Sequence, residues 1–243
     1  MLSQAFPVFV FLVLMFVNSK SYAIRPFVTD DARVVGDRIA QVETWAVFDN
    51  HKATHNALFA IGPTPWLELT SGLSQRYSFV DKKGYGISGG LLQLKALLRD
   101  TKPDSGPGVS FSVGVIPAFG SGSLTPDGVT RFEYGILSQS FFNDDLLFHA
   151  NLGASSKKDL QQSRTMTAGF GFQARVIGGL HAVAEIYRGD PYDPTIKVMA
   201  SQVGFRHIFS DTVQIDGTIG STFDRHAEQW MTIGIRVVSP KLW

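Results

Sequence analysis

Strict alternation of apolar residues with small or polar residues is the feature of this sequence that most constrains its fold. It is cleanest in residues 164–177, where one phase is apolar and the other is small or polar. The apolar phase consists of Met166, Ala168, Phe170, Phe172, Ala174 and Val176. Successive side chains of a strand point to opposite faces, so this period of two predicts a sheet with one apolar and one wet surface.

About twelve such segments follow one another along the chain, separated by turn residues. Repeated short strands of this kind are typical of a barrel that crosses an outer membrane, with apolar side chains toward lipid and polar side chains toward a lumen. We therefore predict an all-β fold, a single antiparallel transmembrane β-barrel of about 12 strands preceded by a cleaved signal peptide.

The charge balance and the absence of cysteine exclude several classes of protein. The chain has 243 residues, of which 22 are basic and 21 acidic, and its formal net charge is +1. This balance provides no strong field for a polyanion, and we expect no nucleic-acid partner. The lack of cysteine excludes disulfides, thiolate zinc sites and a cysteine nucleophile. We expect no cofactor.

The first residues resemble an export signal. Residues 7–17 form an apolar run that is shorter than the roughly 20 residues of a spanning helix. Ser21 and Ala23 are the small residues that signal peptidase requires, so we predict cleavage after Ala23, with an uncleaved anchor as the alternative.

Three parts of the chain follow from this boundary. They are a signal peptide at 1–23, a polar periplasmic segment at 24–37, which we call the lead-in segment, and an outer-membrane β-barrel at 38–243. A location in the cell outer membrane implies contact with outer-membrane lipid and with the outer-membrane assembly machinery.

The lengths of the connections predict the orientation of the barrel. Outer-membrane barrels keep short turns in the periplasm and longer loops outside. A periplasmic N-terminus places most short connections inside, although 50–52 is short for an outer loop and 99–107 is long for an inner turn. The short inner connections are 62–65, 143–145, 178–179 and 210–211.

The lead-in segment carries the most distinctive motif after the signal. Its residues are Pro26, Thr29, Asp30 and Asp31. Together with the strand at 41–44, the hairpin at 61–69 and the strand at 91–99, this motif resembles the outer-membrane transporter family named after the meta pathway of phenol degradation. The resemblance implies a barrel for uptake or export of small molecules, aromatic or hydrophobic ones among them.

Charged residues share the phase that we assign to the lumen. They are Glu43, Glu68, Lys95, Arg131, Glu133, Arg175, Glu185, Lys197, Asp216 and Arg236. Charges are costly toward lipid and ordinary toward water, so a shared phase favours the inside. They could line a narrow selective pore, or they could form a salt-bridged core that fills a barrel too narrow to conduct.

Asp30 and Asp31 have several possible roles. They could close the lumen from the periplasm, pair with inward bases or bind a cation, and an exposed polar turn is the simplest interpretation.

Apparent catalytic and metal motifs fall in unsuitable places. The Gly-x-Ser-x-Gly match at 86–90 opens a strand, whereas a nucleophile elbow needs a strand-to-helix turn. The glycine-rich run at 169–174 is a strand interior with no helix to bind phosphate. His51 and His55 would not converge on a hairpin. We predict no catalytic residue and no metal site.

The leading hypothesis is an outer-membrane channel for small solutes, working by passive or selective diffusion through a polar lumen, and not an enzyme. One alternative is an outer-membrane lipid-modifying enzyme of lipase or acyltransferase type, with a serine and a histidine on its outer rim. Another is a closed structural barrel. The sequence does not specify the oligomeric state.

Overall fold

A computed structural model describes residues 27–80, 84–122, 125–126, 128–158, 164–192, 196–225 and 227–243. The predicted signal peptide at 1–23 and the motif residue Pro26 lie outside the described residues. Within the described ranges, no helix is long and apolar enough to cross a membrane.

One antiparallel sheet contains every strand of the described chain. The strands are β1 (Ala40–Asp49), β2 (Lys52–Thr64), β3 (Leu67–Ser78), β4 (Tyr85–Arg99), β5 (Gly108–Ile116), β6 (Gly120–Gly122), β7 (Val129–Phe141), β8 (Leu146–Lys158), β9 (Arg164–Ile177), β10 (Leu180–Arg188), β11 (Met199–Ser210), β12 (Val213–Thr222) and β13 (Gln229–Val238).

The sheet closes on itself because β1 pairs with β13 and β3 pairs with β4. β5 and the short β6 both pair with the same edge of β4 and share one position in the wall. The result is a closed 12-strand antiparallel barrel, which confirms the predicted fold class.

Alternation along the strands divides the wall into an apolar outside and a polar inside. In β13, Met231, Ile233 and Ile235 are exposed, whereas Thr232 and Arg236 are buried. Exposed apolar side chains recur around the whole wall, a surface that a soluble monomer rarely shows. This surface suits a lipid environment.

The two rims of the barrel differ. The rim that carries the start of β1 and the end of β13 has short turns at residues 65–66, 142–145, 178–179 and 211–212. Gly178 has a φ of 54°, a conformation that favours glycine in a two-residue hairpin turn. The opposite rim carries most of the longer loops, so the rim with the start of β1 and the end of β13 is the periplasmic one.

The core of the molecule lies inside the barrel, around the lead-in segment. From Phe27 the chain runs through the lumen until β1 begins at Ala40. The buried residues on this stretch are Phe27, Thr29, Asp31, Ala32, Val34, Val35 and Ile39. Ala32 packs in one cluster with Leu91, Phe132, Tyr134 and Ile136 of the wall.

Candidate channel lumen

Six of the charged residues predicted for the lumen lie on the inner face of the wall. They are Glu43, Glu68, Lys95, Glu185, Asp216 and Arg236. All except Glu68 are buried, and Glu68 is half-buried. The residues surround the lead-in segment, which takes the place of the water that an open pore would hold.

The assignment of Arg131 and Glu133 to the lumen is wrong. Both side chains are exposed on the outer face of β7, whereas Phe132, Tyr134 and Ile136 point inward. The middle of the inner face of β7 is apolar because Phe132, Tyr134 and Ile136 pack in one cluster with Ala32 of the lead-in segment. Alternation separates the two faces of β7 correctly, but the polarity of its residues does not show which face points into the lumen.

The assignment of Arg175 to the lumen is also wrong. Lys197 is exposed in the loop before β11, so it lines the outer rim of the lumen and not its strand wall. Arg175 is exposed at the periplasmic end of β9, where its Nε lies 2.7 Å from Asp145 Oδ1. Arg206 is a buried lumen base that the sequence interpretation missed, because choosing Lys197 selected the opposite phase of β11.

Glu185 holds the beginning of the described lead-in segment. Its Oε1 accepts a hydrogen bond from the backbone N of Val28 at 2.9 Å. Its Oε2 accepts from the backbone N of Thr29 at 2.8 Å and from the Thr29 hydroxyl at 2.5 Å. Gln202 also donates to Oε1, at 2.6 Å. A carboxylate that accepts four hydrogen bonds is a strong anchor for otherwise unpaired backbone groups.

Asp30 connects the segment to a second part of the wall. Lys95 Nζ lies 3.1 Å from Asp30 Oδ1, and the Tyr134 hydroxyl donates to Oδ2 at 3.3 Å. The backbone N of Asp30 donates to Asn151 Oδ1 at 3.1 Å. Pairing with an inward base, one role considered for Asp30, therefore occurs in the structure.

Asp31 is fully buried, so the interpretation of this motif as an exposed polar turn is wrong. Burial acts to raise the pKa of its carboxyl, but nearby His149, Arg33 and Lys95 together hold that pKa below the usual range. Arg33 in turn donates to Asp144 Oδ1 at 2.6 Å. The described residues contain no group of three or more acidic or histidine side chains arranged to hold a metal ion.

Hydrogen bonds to side chains of the wall also hold the rest of the lead-in segment, as far as the periplasmic rim. The backbone N of Ala32 donates to Ser138 Oγ, and that of Val35 donates to Glu68 Oε2, both at 2.8 Å. At the rim, a hydrogen bond from Lys241 lowers the pKa of Asp37, with a smaller contribution from Arg38.

Two glycines of β9 make room for Thr29. A Cβ at Gly169 would lie 2.3 Å from Thr29 Cγ2, and a Cβ at Gly171 would lie 2.7 Å from Thr29 Oγ1. Side chains at these positions would displace the segment. The wall is therefore shaped to fit this segment.

A cavity of about 540 Å³ occupies the lumen between the lead-in segment and the extracellular loops. Phe27 and Val28 bound it on one side, and Lys197, Asp224 and Glu228 line its outer rim. Its wall is rich in aromatic and aliphatic side chains: Trp45, Leu58, Leu91, Tyr187, Tyr192 and Trp230. Asn56 and Gln202 supply amide groups.

A closed 12-strand wall, an apolar exterior and a lumen filled from the periplasmic rim place this chain in the fold class of outer-membrane β-barrels. The COG4313 outer membrane channel from Pseudomonas putida F1 is similar in structure, with a TM-score of 0.60 and 12% sequence identity over 92% of this chain and 100% of that one. The KdgM porin has a TM-score of 0.57 and 10% sequence identity, and the match covers 81% of this chain and 98% of the porin. The NanC porin has a TM-score of 0.53 and 11% sequence identity, and the match covers 82% of this chain and 98% of the porin.

The chain itself belongs to the family described as "Uncharacterised conserved protein UCP029691", whose model matches residues 12–238. No curated protein matches its sequence. Because the matching family has a different description, the resemblance to the meta-pathway transporters stays a hypothesis.

Proposed function

We propose that this protein is an outer-membrane channel for small solutes and that it favours neutral aromatic or hydrophobic ones. The observation that carries this proposal is the aromatic-lined cavity inside a closed barrel. Its volume falls within the range of roughly 300 to 1,000 Å³ in which proteins bind small molecules. Burial of an apolar solute there would contribute about 25 cal/mol per Å² of surface removed from water.

The two amide groups in the cavity are held in place by the wall, and charged side chains, Asp49, Lys52 and Asp190 among them, also line it. Gln202 Oε1 accepts from Thr218 Oγ1 at 2.9 Å and from Trp230 Nε1 at 3.3 Å, which fixes the amide in position. Asn56 accepts from Ser74 Oγ at 2.5 Å. The resemblance of residues 26–99 to the meta-pathway transporters favours the same class of solute.

The lead-in segment would act as the gate of this channel. It fills the lumen between the cavity and the periplasmic rim, so a solute can pass only when the segment shifts. Its anchors are hydrogen bonds and ion pairs to side chains of the wall, and release of the segment would leave those side chains facing water. Passage by gated diffusion requires no chemistry from the protein.

Ionic current through planar bilayers tests the proposal. We expect the folded chain to show channel openings, and a substituted phenol to interrupt the current at concentrations where glucose does not. A folded protein that never conducts at any voltage would favour the closed structural barrel. Equal interruption by both solutes would contradict the proposed preference.

The enzyme alternative has one local arrangement in its favour, on the outer face of β1–β4. His55 Nε2 lies 2.5 Å from the Thr44 hydroxyl, and His55 Nδ1 lies 2.8 Å from Gln75 Nε2. However, Tyr85 donates to Gln75 Oε1 at 3.0 Å, and Thr44 donates to the carbonyl of Asn56 at 3.0 Å.

Each group in this chain of hydrogen bonds donates to the next. Gln75 therefore donates to Nδ1 of His55, and Nε2 of His55 donates to the Thr44 hydroxyl. A general base must instead accept the hydroxyl proton. We therefore expect purified protein to leave labelled phospholipid intact, and turnover that disappears in His55→Ala would reverse this conclusion.

A further inference from the structure

Three cationic side chains lie exposed on the outer face of the barrel at the extracellular ends of neighbouring strands. They are Arg131 on β7, Lys158 on β8 and Arg164 on β9. Arg131 is opposite Ser156, and Ser156 is opposite Arg164 in the next pair of strands. The two arginines therefore flank Ser156 on one surface, about 10 Å apart at the usual strand spacing.

Neither arginine has an ion pair or a side-chain hydrogen bond within the described residues. Glu133 is the acidic side chain on this surface, opposite Ala154 and one step further from the rim than Arg131. Among the described residues, three cations therefore share this surface with one acid. Charges on the outer face of a barrel are most costly at the membrane midplane and cost little at the level of the lipid headgroups.

A shallow groove of about 440 Å³ runs between these side chains. Arg131, Ser156 and Arg164 line its outer part, and Glu133, Ala154 and Met166 continue it toward the middle of the wall. Beyond them the outer face is apolar, with Leu152 and Phe170 exposed. A ligand that fits this surface combines an anionic headgroup with acyl chains.

We propose that this groove binds a phosphate group of the phosphorylated glycolipid in the outer leaflet. Guanidinium groups pair with phosphate oxygens through two parallel hydrogen bonds, and two arginines on either side of a hydroxyl give such a group donors from three directions. The exposed apolar side chains below receive the acyl chains. This binding site lies on the lipid face and is independent of solute passage through the lumen.

Binding of lipid A to the purified full-length protein in a non-ionic detergent tests the proposal, with native mass spectrometry as the measurement. We expect Arg131→Gln with Arg164→Gln to weaken lipid A binding at least about tenfold, since charge-assisted contacts to phosphate would be lost. Lipid A without its phosphates should bind the native protein and the double variant equally weakly.

Arg99→Gln is the matched control. Arg99 is an exposed arginine at the end of β4, on the periplasmic rim and therefore at the opposite end of the barrel from the proposed site. It should bind lipid A as the native protein does. Heat-modifiable migration on a gel verifies that each variant is folded, and Arg131→Lys with Arg164→Lys, which keeps the charges, gives a second reading of the same site.

Lipid A binding that survives in the folded glutamine double variant would overturn the proposal. The proposal would also be overturned if the native protein bound dephosphorylated lipid A as tightly as it binds phosphorylated lipid A. Displacement of lipid A by millimolar inorganic phosphate would also contradict it, because the site would then recognise a free anion and gain nothing from the acyl chains.

Discussion

At the scale of single residues, the lumen is organised by carboxylates that accept hydrogen bonds from the lead-in segment. Glu185 is the most connected of them, with three bonds from Val28 and Thr29 and one from Gln202. The sequence placed Glu185 in the lumen by alternation, but it contains no signal that its partners are backbone groups from about 156 residues earlier in the chain.

Replacement of Glu185 by glutamine should loosen the lead-in segment. The amide keeps the shape of the carboxylate but loses the negative charge and one acceptor, and hydrogen bonds to charged groups contribute about 1.5 to 3 kcal/mol each. We expect more frequent channel openings in planar bilayers.

Asp216→Asn is the control for this variant. Asp216 is a buried carboxylate on the same wall whose observed partners are Gln214 and Arg206. It should leave the opening frequency close to native. Identical openings in native and Glu185→Gln channels would show that Glu185 does not hold the gate.

Trp230 should determine how long an aromatic solute stays in the cavity. Its ring lines the cavity and packs over Gly220. Loss of one aromatic contact of about 1.4 kcal/mol in Trp230→Ala should shorten the current interruptions caused by a substituted phenol about tenfold. Trp66→Ala, an exposed position on the periplasmic turn between β2 and β3, should not change them.

At the scale of elements, the strands were predictable where one face meets lipid and the other meets polar groups. β13 satisfies that condition, and its inward Arg236 follows from alternation. β7 does not, because its inner face packs on the lead-in segment and Arg131 and Glu133 stay on the outside near the rim. A strand pattern cannot reveal that its wet side is occupied by another part of the chain.

A disulfide between the lead-in segment and β9 should lock the gate. A Cβ built at Gly169 lies 3.7 Å from the Cβ of Thr29, close to the roughly 3.8 Å that disulfides prefer. The native chain has no cysteine, so Thr29→Cys with Gly169→Cys would form the only possible bridge. We expect the oxidised double variant to be closed and a reducing agent to restore openings.

Each single cysteine variant serves as a control and should respond to neither oxidant nor reductant. An oxidised double variant, shown to be cross-linked by mass, that conducts like its reduced form would mean that solutes pass without movement of the segment.

At the scale of the whole molecule, the wall and its filling are separate structures joined at the start of β1. The wall is closed by hydrogen bonds between its own strands, and the lead-in segment contributes none of them. The closed barrel was predictable from repeated alternation. Closure of the lumen from the periplasm was one of several roles considered for Asp30 and Asp31, and the sequence could not single it out because residues 24–37 have no periodic pattern that relates them to the strands.

Deletion of residues 27–36 should therefore leave a folded barrel with a permanently open lumen. Lys95, Glu68 and Glu185 would become hydrated, and we expect heat-modifiable migration to persist with a lower unfolding temperature. Conductance should rise and lose its gating. A deletion variant that fails to fold even in lipid would show that the segment is part of the structural core and not a removable gate.

The pairing of β1 with β13 also constrains the order of biogenesis. Ser239 donates from its backbone N to the carbonyl of Ala40 at 2.8 Å, so the seam joins the first strand of the barrel to the last. Until the last strand has been synthesised and exported, the unfinished sheet has two unpaired edges, and such edges template aggregation. Pairing of the first strand with the last therefore removes both edges in a single step, and the chain is protected from edge-to-edge pairing only once that step is complete.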